Sequence, residues 1–525
     1  MEKDDKESIL NDAQMSPDIG KANEYCTSPE EPAKPVLEAD EYIEEVGDCG
    51  LYQFRTQVIF LLFMVVITSQ IFISYFVVHD PPWQCKQNST VCNFTSPISS
   101  HDHVNFREKC KMPRSEWEFT KHKEYSIVTQ FELVCNREYY ATVSHSLVFI
   151  GMGGGALIMT YLMDRFGRKT IIFPSVFAII FSAILSVVAN HLILFIVSRL
   201  VIGIALSGGV IFVLAAEISG PKYRALTSTM IWVYFSGVLV LLTGVAYLSQ
   251  NWKTLELTFT VPFLLLIFTW RYFPESIRWM RMNDKLEEAE ELLKSMAKIN
   301  GKPVPNATLR RESQTHTTTT FLHLFYPMKV FTQTSIQSLA WFVSGLTYFA
   351  ATFAAQDLSG NFYMDFILTS IIEVPANVAV IFFCDRIGRK RAVITHYYLA
   401  SVACLIVSFT PLEPNGNTEK KFVRLAAGII AKYAATCYFN SLYIWSAELY
   451  PTSIRAQAIG FLLAISRFGG SLAPMVITTL KYVNEAFPFL LMTILNIIAG
   501  TLCLYLGDTK DVHIPDTMEE YIDSL

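Results

Sequence analysis

Asp164-Arg-Phe-Gly-Arg-Lys169 returns 221 positions later as Asp385-Arg-Ile-Gly-Arg-Lys390, and Glu217 with Arg224 returns 231 positions later as Glu448 with Arg455. Two separate motifs repeating at nearly one offset mark an internal duplication. Each copy of the first motif follows an apolar run of roughly 20 residues, the length that crosses a bilayer. Of 525 residues, 52% are hydrophobic and 17% charged, and the apolar residues concentrate in such runs. Twelve can be traced, at about 57–78, 140–163, 170–189, 192–216, 226–248, 254–273, 331–354, 362–384, 392–411, 422–446, 457–481 and 487–506. The sequence thus predicts an all-α membrane protein with twelve transmembrane helices in two pseudo-symmetric six-helix halves, 41–273 and 331–507, joined by a polar linker, 274–330.

An even number of spans puts both termini on one side. Lys and Arg in short loops mark the cytoplasmic face, and Arg165, Arg168, Lys169, Lys222, Arg224, Arg386, Arg389, Lys390 and Arg391 all fall on the side of the linker. Residues 1–40 are polar, lack an apolar signal core and are expected to be a disordered cytoplasmic tail, matched by a second tail, 508–525. In the linker, Asn283-Asp284 with Glu287 reads as a helix start, Leu286, Ala289, Leu293 and Met296 as its apolar face, and Gly301 as its end. This helix is expected to brace the halves.

The loop 79–139 is then extracellular. Its Cys85, Cys92, Cys110 and Cys135 are expected to form two disulfides, in any of three pairings, and Asn88 and Asn93 stand in glycosylation sequons. Asn306 also begins a sequon but faces the cytoplasm. Cys384, Cys404, Cys437 and Cys503 lie in spans as small core residues.

The repeated motifs suit cytoplasmic hairpins. Gly167 and Gly388 permit a reversal at positive φ, and the motif acid can sit at a helix N-terminus. The charged set Asp164, Arg165, Arg168, Glu217, Arg224, Asp385, Arg386, Arg389, Glu448 and Arg455 is expected to gate, by pairing across the halves in one state and separating in another. Plain positive-inside topology is the bland alternative.

Charged groups inside spans are costly and mark pathways. Four stand out: Arg199, Glu373, Lys432 and Arg467. Arg199 lies near a helix end, where a snorkelling or structural role is expected. Arg467 follows Tyr443-Ile-Trp-Ser-Ala-Glu-Leu-Tyr-Pro-Thr-Ser-Ile-Arg455 as the lone charge of its apolar run. Among uncharged residues, Asn440 is an amide in need of a partner, while Trp341, Tyr348 and Tyr443 offer aromatic faces.

At these residues the chain resembles the major facilitator superfamily, and within it the organic cation/anion/zwitterion transporter family (solute carrier family 22 type). Ile43-Glu-Glu-Val-Gly-Asp-Cys-Gly-Leu-Tyr-Gln-Phe54, Tyr125-Ser-Ile-Val-Thr-Gln-Phe-Glu-Leu-Val-Cys135, Pro274-Glu-Ser-Ile-Arg-Trp279, Leu358-Ser-Gly-Asn361, Glu373-Val-Pro375 and Glu448-Leu-Tyr-Pro-Thr-Ser-Ile-Arg455 carry the resemblance. It departs mildly at Gly507-Asp508-Thr509, where the family has Pro-Glu-Thr.

The resemblance implies a multi-pass plasma-membrane carrier working by alternating access. Its partners would be a small organic solute, a coupled ion or exchanged anion, and the lipid bilayer. Cation carriers of the family have an acid at the position of Arg467, whereas anion and carnitine carriers have arginine there. A guanidinium stays charged and grips a carboxylate bidentately. The expected site is therefore Arg467 and Lys432 for a carboxylate, Glu373 for a positive group, and Trp341, Tyr348, Asn440 and Tyr443 around the rest. Dicarboxylate exchangers of the family often carry lysine where this chain has Asn377, so a carnitine-like zwitterion is slightly favoured over an organic anion. An organic cation carrier is the alternative, and a sugar porter or a non-transporting receptor stands further off. No metal-ligand spacing, phosphate loop, nucleophile–base pair or basic nucleic-acid footprint is present, so no enzyme activity, cofactor or nucleic-acid partner is expected.

Overall fold

The computed structural model describes residues 35–510, except 88, 99–102, 189, 210, 312–320, 355–357, 359–360, 411–417 and 452–453. The spans of the first half are α1 (Leu51–Val77), α2 (Tyr139–Phe166), α3 (Arg168–Val188), α4 (Leu192–Leu206 continued by Ile211–Glu217), α5 (Arg224–Ser249) and α6 (Trp252–Thr258 continued as a 3₁₀ turn, Val261–Thr269). Those of the second half are α7 (Met328–Phe353), α8 (Phe362–Ile371 continued by Glu373–Ile387), α9 (Arg389–Phe409), α10 (Thr418–Leu449), α11 (Arg455–Val483) and α12 (Phe487–Leu502). Among the described residues, eleven helices are long and apolar enough to cross a membrane.

The twelfth span, α7, is less apolar. It carries Gln333, Thr334, Gln337, Ser344, Thr347 and Thr352, all buried inside the protein, where lipid does not meet them. Phe181, Leu248, Phe268 and Phe409 stay exposed, as a lipid-facing surface requires.

The duplication is visible in the packing. In the first half α1 packs on α5, α2 on α4 and α3 on α4; in the second half α7 packs on α11, α8 on α10 and α9 on α10. The halves meet where α2 packs on α11 and α5 on α8. Close approach depends on absent side chains. A Cβ on Gly469 of α11 would stand 2.1 Å from the Phe342 carbonyl oxygen of α7, and one on Gly345 would stand 2.0 Å from that of Ser466. Gly469→Val is therefore expected to leave little folded protein, because backbone cannot yield as a flexible side chain would. Size-exclusion of a fluorescent fusion measures it, and a wild-type profile would contradict it.

The loop between α1 and α2 has its own small core around Trp83 and Trp117. There β2 (Trp83–Cys85) pairs antiparallel with β3 (Trp117–Phe119), and disulfides join Cys85 to Cys92 and Cys110 to Cys135. Asn93 is exposed, and Asn88 lies outside the described residues.

At the other end, the polar tail expected over 1–40 begins its folded part earlier than the sequence suggested. β1 (Val36–Leu37) pairs with β4 (Thr308–Leu309), and a helix runs from Ala39 to Val46. That helix packs on the linker helices Ile277–Met282 and Leu286–Asn300 around Tyr42, Ile43, Trp279, Leu293 and Met296. The linker helix ends at Gly301, at φ 68°, as expected, but starts at Lys285 without a side-chain cap. The Asn283-Asp284 signal does not cap it. The linker helices anchor on the first half, where Arg278 pairs with Asp40 (3.3 Å), itself paired with Arg224 (2.8 Å), Trp279 Nε1 donates to the Asp164 carbonyl (2.7 Å), and Asn300 accepts from the Tyr52 amide (2.9 Å). The end of the linker reaches the second half, where the Phe325 ring meets that of Phe461 in α11 at 5.6 Å.

Candidate functional site

Between the halves lies a cavity of about 140 Å³. The first half walls it with apolar groups, chiefly Ile67, Phe72, Phe212, Trp232 and Phe235; the second half supplies Tyr348, Glu373, Asn377, Asn440 and Arg467. Polarity is thus confined to one side.

Arg467 projects from α11 with its guanidinium carbon 5.9 Å from the centre of the Phe349 ring. Among the described residues no carboxylate lies within ion-pair distance of it, so its charge faces the cavity uncompensated. Glu373 is different. Its Oε1 is 2.9 Å from Lys432 Nζ and accepts the Tyr348 hydroxyl at 2.6 Å, while Ser236 of the first half donates to Oε2 at 3.4 Å. Lys432 Nζ also donates to Thr352 Oγ1 at 2.6 Å and sits 3.3 Å from the centre of the Tyr348 ring.

Lys432 lies outside the cavity lining and is paired with Glu373, which lines the cavity. The two residues sit 59 positions apart on neighbouring helices, so their mutual neutralisation could not be read from spacing. Trp341 is fully buried behind the wall, donating to Ser446 Oγ at 2.9 Å. Tyr443 is also set back, edge-on to Phe212 at 5.7 Å between ring centres. Asn440 lines the cavity with its amide donated to Asn377 Oδ1 at 2.6 Å. Phe212, Trp232 and Phe235 went unmarked in the sequence, because with 13% aromatic residues a ring in a span is no signal.

Arg199 does not snorkel. It is fully buried with Glu256 at 2.7 Å, tying α4 to α6, a counter-charge the sequence reading passed over.

The charged hairpins pair within halves. Arg168 meets Asp164 (3.6 Å) and Glu217 (3.4 Å), and Arg389 meets Glu448 (3.0 Å). Arg455 Nε donates to the Tyr450 carbonyl, Arg165 lies against Phe166 and Arg386 against Phe382, and Asp385 is exposed. Each of these ion pairs lies within one half. Gly167 and Gly388 take φ of 96° and 93°, as the hairpin reading requires. The acids at the following helix starts are not the motif's own but Glu275, accepting the Arg168 amide (2.8 Å), and Asp508, accepting the Lys390 amide (3.5 Å). Each comes from the segment after the last span of its half.

Ring contacts between the halves cluster toward the loop end: Phe76 with Phe366 (5.0 Å), Phe149 with Phe349 (4.3 Å), Tyr75 with Phe353 (5.4 Å) and Tyr247 with Tyr363 (5.3 Å). Such an arrangement is closed at the loop end. Arg389→Ala removes one tie and is expected to lower the maximal uptake rate about tenfold with little change in half-saturation, the size of coupling such networks carry. Initial-rate kinetics decide, and a pure half-saturation effect would contradict it.

Residues 85–507 match the family described as "Sugar (and other) transporter". The chain is 27% identical to an "Organic cation transporter protein" of Drosophila melanogaster over 92% of this chain and 94% of that one. It is 28% identical to human solute carrier family 22 member 13 over 91% of this chain and 92% of the relative. Against human solute carrier family 22 member 2 the identity is 28%, over 84% and 80%. Among solved structures, the inward open conformation of the xylose transporter XylE from E. coli superposes with a TM-score of 0.62 at 13% identity, covering 90% of this chain and 99% of that one, and shares the fold. These relatives are membrane transporters rather than enzymes. The chain belongs to the sugar (and other) transporter family, as a solute carrier family 22 type transporter of the major facilitator superfamily.

Proposed function

We propose that this transporter carries a small organic anion bearing a carboxylate across the plasma membrane by alternating access, with Arg467 as the group that holds the carboxylate. One observation carries the reading: Arg467 is the uncompensated charge of the central cavity, while Glu373 is neutralised by Lys432. A guanidinium in a cavity walled on one side by apolar groups gains more from a carboxylate than it does in bulk water. The occupied state of Glu373 moves the balance from zwitterion to anion, because a zwitterion's ammonium would have to displace Lys432.

Asn377 and Asn440 offer neutral hydrogen bonds to the remainder of the solute, and Trp232 and Phe235 enclose its apolar part. Both termini would be cytoplasmic and the loop extracellular, a reading supported by basic residues on the linker side and two disulfides in the loop. Exchange for a second anion would preserve charge balance on the return step.

Uptake of labelled p-aminohippurate, carnitine and tetraethylammonium by cells expressing the chain tests the reading. Saturable entry of p-aminohippurate above carnitine is expected. Entry of tetraethylammonium alone would favour a cation carrier and overturn it.

A further inference from the structure

A second cavity, of about 100 Å³, lies between the halves at the loop end, roofed by the loop through Phe106, Val128 and Leu133. It shares no lining residue with the central cavity. The two are separated by one helical turn of packed rings: Phe72 and Phe349 face the central cavity, while Tyr75 and Phe353 face the outer one.

Three features of this chamber remain unused by the transport reading. Asp80, just past α1, lines it and makes no hydrogen bond or ion pair among the described residues. Lys109 and Lys481 act on it only from beyond ion-pair distance, and burial pushes its carboxyl above the usual range against their opposing pull. His145 of α2 also lines the chamber. It is 1% exposed, held edge-on to Tyr75 at 4.6 Å, and neither ring nitrogen has a partner. A buried polar group left without a partner is destabilising, and a ligand reaching it would relieve that cost. Finally, the rings of Tyr75, Phe106, Phe353 and Phe362 give the chamber aromatic walls.

Three basic groups stand nearby: Lys481, which lines the chamber beyond ion-pair distance of Asp80, and Lys109 and Arg107, which are drawn elsewhere. Lys109 Nζ sits 3.6 Å from the centre of the Phe106 ring, and Arg107 pairs with Glu138, the chamber's other acid, at 3.7 Å. An acid without a partner, an imidazole without a partner and several ring faces together recognise an ammonium group.

We propose that this outer chamber is a second binding site, for the ammonium group of a small organic amine, with Asp80 as counter-ion and His145 as acceptor of an ammonium N–H. Tyr75, Asp80 and His145 belong to the first half, and Phe353, Phe362 and Thr478 to the second, so a bound amine bridges the halves at their closed end. It stabilises this conformation relative to one open at the loop end and slows turnover without entering the central cavity.

The test is equilibrium binding of labelled benzylamine to the purified full chain in lipid nanodiscs. Wild type is expected to bind saturably. Asp80→Asn is expected to weaken binding about tenfold or more, and His145→Phe, which keeps the ring and drops the acceptor, about threefold, in line with one charged partner and one neutral one. Lys432→Met with Glu373→Gln, which removes the central acid and its counter-charge together, is expected to bind as wild type. No saturable binding, Asp80→Asn binding unchanged, or loss confined to that double variant would each overturn the proposal. Thr142→Trp, which fills the chamber from another position, is a second variant should Asp80→Asn fail to fold: it is expected to abolish binding, and retained binding would overturn the site.

Discussion

Lys432→Ala is expected to be among the most destabilising single substitutions in the chain, at about 3–5 kcal/mol, the cost of stranding one member of a buried ion pair. Side chains of Lys432 and Glu373 are 1% and 3% exposed. The Tyr348 hydroxyl and Ser236 would still donate to Glu373, which softens the loss without compensating a full charge. Removing both charges together, as Lys432→Met with Glu373→Gln, is expected to restore most of the stability, since paired buried ions contribute little net. Thermal unfolding of detergent-solubilised protein distinguishes the outcomes. A single variant as stable as wild type, or a double variant worse than either single, would show that the pair is not the unit described here.

Arg467→Ala should leave the fold intact and remove transport. Its guanidinium makes no ion pair among the described residues, so its loss strands no charged partner, and the close backbone approaches of α11 to α7 at Gly469 and Gly345 are left in place. A charge-assisted contact to a desolvated carboxylate is worth about 2–5 kcal/mol by truncation, or roughly 30- to 4,000-fold in binding. Uptake of p-aminohippurate at matched surface expression is therefore expected to fall by about 100-fold or more. Arg467→Lys, a point charge without the planar fork, should retain a minor part of it.

Much of this architecture was legible because it is written twice. The hairpin motifs at 164–169 and 385–390 located equivalent helix ends, and the structure shows the same φ at Gly167 and Gly388. Span α7 was traced as an apolar run at 331–354, although Gln333, Gln337 and Thr347 dilute its apolar character for an interior that a hydropathy pattern does not see. The site was legible charge by charge and not pair by pair. Arg467, Glu373 and Lys432 all announced themselves as costly residues in apolar runs, yet which of them remain available depends on helix rotation and on contacts between distant positions. The same limit hid Glu256 opposite Arg199, Glu275 and Asp508 at the hairpins, and the choice among three disulfide pairings. Partnership across the fold is a tertiary property, and a charge without its partner reads as a ligand group whether or not it is one.

The central claim is that the free charge of the cavity sets the charge of the solute. Its most direct test is the ratio of p-aminohippurate to tetraethylammonium uptake in cells expressing wild type and Arg467→Asp at equal surface levels. A ratio well above one in wild type, collapsing in Arg467→Asp with any residual uptake shifted toward the cation, is the predicted result. Tetraethylammonium uptake by wild type that survives Arg467→Asp unchanged, with no p-aminohippurate entry in either, would contradict it.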